Sequence, residues 1–549
     1  MSDQIRNRGK KGNGGQRSSF PAACAVCAGL LAIIKRILLT NRIGDNGNAY
    51  FGMAFDTWLF FTLLCGPAMQ TAVAEMTAAR SGRGGHRNAG EVWRAGFGLA
   101  LLLGAAGSVL MYVSADWAAG RLFHTGLSSV ALKLLAPAVV LSAFLGLMRG
   151  YFQGMGTMVP TALSRLVEEA VSLAALLLLV PALSGYGKKV GDLLLNAGYE
   201  QAFGAAGGVL GSLTGALFAL LLLTVIYLML QGSFRRRERR ERDGWEEGRG
   251  RLAGELVRTA APLAFAALAF HGSYMIDQLL FLGLTPAGSD TVVQWGIYTG
   301  KYRILSGIPV MAASFLCTFL MPSVAVSAAS RNMGRLKERT LLMLRCALAV
   351  SLPLAVYGAV MSDTLMKTLF TAGDTAVAAG LLRVGSIAVV LQSVGTAFAC
   401  ALQGMKKERI LLINSVIALV VHIILAFILV KTAGLGIQGI LYAVIGMSLV
   451  YAALNGTALM RLMSLRADWG RFLGAPVIGT GVAGLVLFMI NRLLSGRVPG
   501  ALVCILGLVL GAVIYFALLI TLHGVTERDL RQVPGGGLLI LAGRAMRFF

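Results

Sequence analysis

Runs of about twenty apolar residues recur along this chain from Phe20 to Leu522, and no other feature restricts its fold so severely. Each run is long enough to cross the ~30 Å hydrocarbon core of a bilayer as a helix. None alternates in the ten-residue manner of a membrane β-strand. The chain is 56% hydrophobic and 13% charged over 549 residues, with a mean hydropathy of +0.74, far from the soluble globular average. It reads as an all-α, polytopic membrane protein with about 14 spans. They begin near Phe20, Tyr50, Val92, Ser129, Val159, Ala202, Val257, Thr291, Thr340, Thr375, Arg409, Leu435, Phe472 and Ala501.

A net charge of +24 raises the question of a nucleic-acid partner, and the placement of the bases answers it. About 32 of the 49 Lys and Arg fall on one set of alternate loops, including "FRRRERRERDGWEEGRGR" at 234–251, and about 8 on the other. That asymmetry is the positive-inside pattern, so both termini are expected in the cytoplasm and no nucleic acid is expected as a partner. The basic polar tail runs to Ser19 and straight into a full-length span, so no cleavable signal peptide is expected. The seven cysteines (Cys24, Cys27, Cys65, Cys317, Cys346, Cys400 and Cys504) are odd in number and lie in or beside apolar segments. No disulfide framework is expected, and "CAVC" reads as small core residues.

A polar hinge occurs twice. "GYFQGMGTMVPTALSRLVEEA" at Gly150–Ala170 and "ACALQGMKKERILLINSVIAL" at Ala399–Leu419 share Gln-Gly-Met, with Gln153 and Gln403 250 residues apart. Each hinge follows the fourth span of a six-span block. Pro67 and Pro322, near the inner ends of the second and eighth spans, give a weaker echo. Two parallel six-span halves related by an axis along the membrane normal account for both. The expected organisation is a basic cytoplasmic tail (1–19), a six-span lobe (20–232), a basic cytoplasmic linker (233–256), a second six-span lobe (257–464), two extra spans (465–523) and a cytoplasmic tail (524–549). The hinge itself reads as a helical hairpin, with Gly150, Gly154 and Gly156 allowing tight backbone geometry and Pro160 in the first turn of the next helix.

Three stretches carry a resemblance to a known family. "LMRGYFQGMGTMVPTALSRLVEEAV" resembles the fourth and fifth helices of Gram-positive MurJ-like lipid II flippases and stage V sporulation protein B. "GIPVMAASFLCTFLMPSV" is similar to their eighth helix, and "AFACALQGMKKERI" to their tenth and eleventh. The resemblance runs over nearly the whole chain, to the tail "VPGGGLLILAGRAMRFF". It implies the multidrug, oligosaccharidyl-lipid and polysaccharide exporter fold, in which two six-helix lobes surround a central cavity that opens alternately to either side. The first helix departs from the pattern: it reads "CAVCAGLLA" where relatives usually carry an Arg, and bases appear only at Lys35 and Arg36.

Ionisable groups inside spans are costly and mark candidate sites. Lys35, Arg36, Lys301, Arg303 and Arg383 lie in the outward halves of three spans and form the candidate substrate-binding patch, since Arg can hold phosphate oxygens through paired hydrogen bonds. Lys133 and Arg258, near span ends, are expected to snorkel. Arg165 has the i,i+3 and i,i+4 spacing to pair with Glu168 and Glu169 on its own helix; a substrate contact is the alternative. Asp277 is expected to pair with Lys301 or Arg303, or else to bind a coupling cation; Asp56 is the other candidate cation ligand.

No nucleotide loop, metal-ligand cluster or nucleophile–base pair is visible, so no cofactor, metal site or enzymatic activity is expected. Three functions compete. The first is a flippase for an undecaprenyl-linked envelope precursor, with the lipid-linked oligosaccharide, membrane lipids and the cell-wall synthesis machinery as partners. The second is a drug or cation antiporter of the same fold, which the excess of intramembrane bases disfavours. The third is a membrane glycosyltransferase or polymerase, which the short external loops disfavour.

Overall fold

The computed structural model describes residues 14–240, 247–464, 469–522, 524–532 and 536–545. The first 13 residues of the expected N-terminal tail, part of the linker and the last four residues of the C-terminal tail lie outside them. Among the described residues 13 segments are long and apolar enough to cross a membrane. The spans expected at Phe20 and Tyr50 fall together in one 62-residue segment, Phe20–Ser81, and each of the other twelve expected spans has its own.

The chain divides after Met275 into two compact units. The first contains α1 (Gly14–Cys65), α2 (Pro67–Ser81), α3 (His86–Trp117), α4 (Ser128–Leu135), α5 (Pro137–Gly154), α6 (Val159–Leu194), α7 (Gly198–Arg240) and α8 (Arg249–His271). Helix α1 is interrupted at Gly44, whose φ of 66° is open to glycine and strained for other residues. Asn48 seals the break by donating to the Gly44 carbonyl at 2.7 Å and accepting from Thr40 Oγ1 at 3.1 Å. Helices α6 and α7 form a long antiparallel pair, and α5 packs on α2 along a stripe of glycines. A Cβ at Gly146 would fall on the main-chain oxygen of Gly66, and one at Gly150 on that of Gln70; one at Gly154 would stand 2.5 Å from Thr77 Cβ. Small residues four apart let two backbones touch, which is how membrane helices gain contact where lipid supplies no hydrophobic drive.

Helix α9 (Ser273–Leu284) carries the chain into the second unit. There follow α10 (Ser289–Ile297), which runs through a π turn at Tyr298–Tyr302 into α11 (Arg303–Ala329), then α12 (Met333–Val360), α13 (Ser362–Leu369), α14 (Ala376–Gly404), α15 (Glu408–Phe427), α16 (Gly436–Met463), α17 (Trp469–Leu494), α18 (Gly500–Thr521), α19 (Glu527–Leu530) and α20 (Gly536–Ala545). Leu320 of α11, Met343 and Ala347 of α12, Leu402 of α14 and Met463 of α16 meet in its core.

The duplicated hinge is duplicated in hydrogen bonds. In the first copy Gly156 N–H donates to the Gln153 carbonyl and Thr157 N–H to that of Phe152, both at 3.0 Å. In the second, Lys406 donates to Gln403 and Lys407 to Leu402, both at 2.9 Å. Each is a Schellman turn closing a helix with its C′ residue in the left-handed region, at φ 84° for Gly156 and 56° for Lys406. The helical hairpin read from the sequence is therefore present in both halves. The second copy holds a lysine where glycine is the unstrained choice.

Candidate functional site

Helix α6 places a polar stripe inside the first unit, because residues 161, 165, 168 and 172 recur at helical spacing on one face. Thr161 Oγ1 donates to the Arg149 carbonyl at 3.3 Å. Glu168 accepts from Arg149 Nη2 at 2.6 Å, and Arg149 Nε donates to Ser164 Oγ at 3.0 Å. Glu169 accepts from Lys35 Nζ at 2.7 Å, and Ser172 Oγ from the same nitrogen at 3.0 Å. Both carboxylates are thus taken by bases on other helices, α5 and α1, and the pairing of Arg165 with Glu168 and Glu169 expected from local spacing does not form. Arg165 is exposed and makes no hydrogen bond or ion pair among the described residues; its charged neighbours are Arg149 and Glu168.

The remaining candidates of this unit lie on α1. The Arg36 guanidinium stands 4.2 Å above the Phe51 ring, a cation–π contact. Asp56 is buried, 1% exposed.

In the second unit the three expected bases stand on α11, the turn before it and α14. Lys301 sits in the π turn before α11, completely buried, and its Nζ donates to the Asp374 carbonyl at 2.8 Å. A π turn widens the helix locally and often marks a functional position; here it carries the lysine onto the loop before α14. Arg303 is half-buried at the start of α11. Arg383 on α14 pairs with Asp363 of α13, and both side chains are more than half exposed.

Asp277 does not pair with Lys301 or Arg303. Its Oδ1 lies 2.6 Å from His422 Nε2 of α15, with both side chains fully buried. Asp277 Oδ2 and both amide atoms of the neighbouring Gln278 have no hydrogen-bond partner among the described residues. Sequence reasoning missed His422 because its partner is 145 residues away. The available signal was a histidine standing alone in the middle of an apolar helix, itself a costly intramembrane group.

Two further features belong to single units. In the second, an apolar cavity of about 590 Å³ is lined by Leu342, Val350, Leu354, Leu487, Leu508 and Phe516, with Arg345 and Asp529 at its edge. Arg345 and Asp529 are 3.6 Å apart. The segment around α19 lies alongside α12 through Arg528–Glu338 and Arg339–Gln532 as well. A hydrogen bond from Arg531, helped by one from Arg544, holds the Glu527 carboxyl below its ordinary range against the opposing effect of desolvation. In the first unit the end of the linker is fixed similarly, by Arg80 to Glu247 and Glu255 at 2.6 and 2.8 Å and by Arg249 to Glu91 at 2.8 Å.

Comparison with known proteins gives a consistent picture. The family model described as Polysaccharide biosynthesis protein matches residues 21–325, and the model MatE matches residues 262–428. Stage V sporulation protein B of Bacillus subtilis (strain 168) is 22% identical over 94% of this chain and 97% of its own. Lipid II flippase MurJ of the same organism is 24% identical over 73% of this chain and 74% of its own. Among solved structures, an inward-facing multidrug resistance MATE-family transporter of the MOP superfamily matches 80% of this chain and 94% of its own, with a TM-score of 0.64 and 15% identity. Lipid II flippase MurJ in an inward closed conformation matches 91% and 97%, with a TM-score of 0.61 and 12% identity. At these identities the structural likeness shows the fold.

Proposed function

Because this chain belongs to the polysaccharide biosynthesis protein family, whose model covers more than half of it, we propose that it is a flippase. It translocates an undecaprenyl-pyrophosphate-linked cell-envelope glycan precursor, lipid II or a related polysaccharide unit, across the cytoplasmic membrane by alternating access. The observation that carries this reading is the set of bases in the first unit: Lys35, Arg149 and Arg165 at the α6 stripe, and Arg36 next to Lys35 on α1. Cations at that depth are expensive in an apolar solvent, and a diphosphate headgroup is a cargo that repays them. Arg303, Lys301 and Arg383 are proposed as further contacts from the second unit, and Asp56 and Asp277 as ion-coupling or pairing groups. The apolar cavity along α12, α17 and α18 suits the hydrocarbon chain of the same lipid. The expected lobes, 20–232 and 257–464 with two extra spans at 465–523, are proposed as the moving parts, and the cell-wall synthesis machinery as the partner that consumes the cargo.

The MatE match over 262–428 favours a cation antiporter as the second reading, and one experiment separates the two. A bacterium depleted of its own lipid II flippases and expressing this chain is expected to grow and make peptidoglycan, and to stop doing so with Arg303→Ala. Failure by protein shown to be inserted and abundant would overturn lipid II as the cargo. Drug resistance conferred without rescue would favour the antiporter.

The orientation proposed from charge has both termini in the cytoplasm. In a cysteine-free background, Ser233→Cys, exposed near the end of α7, is expected to resist membrane-impermeant thiol reagents in intact cells and to react once the cells are opened. Labelling of intact cells would reverse the topology.

A further inference from the structure

We infer that Arg165 takes the phosphate oxygens of the entering lipid-linked diphosphate, and that Glu168 limits the positive charge the site presents by holding Arg149. The inference rests on the flippase reading and names the contact residue within it. Of the three bases reaching the α6 stripe, two are already neutralised. Lys35 is bound to Glu169 and Arg149 to Glu168, with only 16% and 11% of their side chains exposed. Arg165, one turn before Glu168, is exposed and has no hydrogen-bond or ion-pair partner among the described residues.

Its direction follows from its neighbours. Thr161 and Glu168, on the same stripe, bond to Arg149 of α5, and Ser172 to Lys35 of α1. The face that carries Arg165 is therefore polar and turned toward other protein elements. Arg165 lies six residues after α6 begins, about 9 Å along the helix at 1.5 Å per residue. An unpaired guanidinium that far inside a span needs water or an anion. Its planar fork of five donors fits two phosphate oxygens at once, whereas a lysine would offer a point charge. A diphosphate carries more charge than one arginine balances, and the nearest reserve is Arg149. Glu168 withholds that reserve, so removing its charge frees Arg149 to join Arg165.

The opposite signs of two substitutions make the test. Full-length protein in nanodiscs of zwitterionic lipid is titrated with geranylgeranyl diphosphate and, in parallel, with the uncharged alcohol geranylgeraniol. Wild type is expected to prefer the diphosphate. Arg165→Gln should weaken diphosphate binding about tenfold or more, as expected for loss of a charge-assisted bidentate contact, and leave the alcohol unaffected. Arg165→Lys should fall between the two, and Glu168→Gln should bind the diphosphate more tightly than wild type. Arg165→Gln removes no partner from another residue, so its thermal stability is expected to match wild type. If wild type prefers the diphosphate and Arg165→Gln binds it equally well, the assignment of Arg165 is overturned and the flippase reading stands. If Glu168→Gln binds no more tightly, the role given to Glu168 is overturned. If wild type shows no preference for the diphosphate over the alcohol, the flippase reading fails and the assignment with it.

Discussion

His422→Leu is expected to cost about 3–5 kcal/mol of folded stability, because it leaves the Asp277 carboxylate buried without its partner. The double variant His422→Leu with Asp277→Leu is expected to lie close to wild type, since a buried ion pair can be replaced by well-packed apolar groups at little net cost. The two side chains are fully buried and 2.6 Å apart, and Asp277 Oδ2 has no other hydrogen-bond partner among the described residues. Thermal unfolding in detergent, with membrane accumulation as a second readout, checks both values. A mild single variant would show that something besides His422 supports Asp277, and a double variant as unstable as the single would show that the cost does not come from the orphaned carboxylate. If the double variant folds, its transport activity measures what the pair does beyond holding α9 to α15.

Gly150→Val is expected to abolish accumulation, and Gly404→Ala to be tolerated. Gly404 ends its helix at the second hinge as Gly154 does at the first, whereas Gly150 lies four residues before Gly154 inside α5, and the surroundings differ as well. A Cβ at Gly150 lands on the Gln70 main chain, which cannot move without parting α2 from α5, so a branched side chain there should cost about 3 kcal/mol or more. A Cβ at Gly404 would meet Val324 Cγ1 at 3.2 Å and the Met321 carbonyl at 3.4 Å. A side-chain methyl can yield by a few tenths of an ångström, and the expected cost stays within about 1 kcal/mol. Immunoblots of membranes and unfolding midpoints decide it; equal tolerance at the two sites would contradict the backbone seam.

The helices and the duplication were legible because they rest on local signals. Apolar runs declare their own length, and the Gln153 and Gln403 turns repeat the same three residues, so their hydrogen bonds repeat as well. A break between the spans beginning near Phe20 and Tyr50 was legible, but its form was not: "TNRIGDNGN" contains two glycines and gives no sign that the first takes a positive φ while the helix resumes directly after it. The charge partners were misread for a related reason. Spacing on one helix offered Arg165 to Glu168 and Glu169, whereas Arg149 and Lys35 reach those carboxylates from other helices. Local spacing cannot register a competitor 134 residues away. Asp277 shows the same limit, since His422 is as remote and lies in an uninterrupted apolar helix. Lys301 stands out in the sequence as a base within a span, and the main-chain carbonyl of Asp374 that accepts from it is invisible in any list of charged residues.

The glycine seam between α2 and α5 also sets an order of events during synthesis. Gln70 leaves the ribosome 80 residues before Gly150, roughly 4–16 s earlier at ~5–20 residues per second, and α3 and α4 must enter the membrane in between. Through that interval the small-residue face of α2 has no protein to rest on and is sheltered only by lipid or by the insertion machinery. This close backbone contact can therefore form only once α5 has emerged, and before α6, α7 and α8 exist to pack beside it.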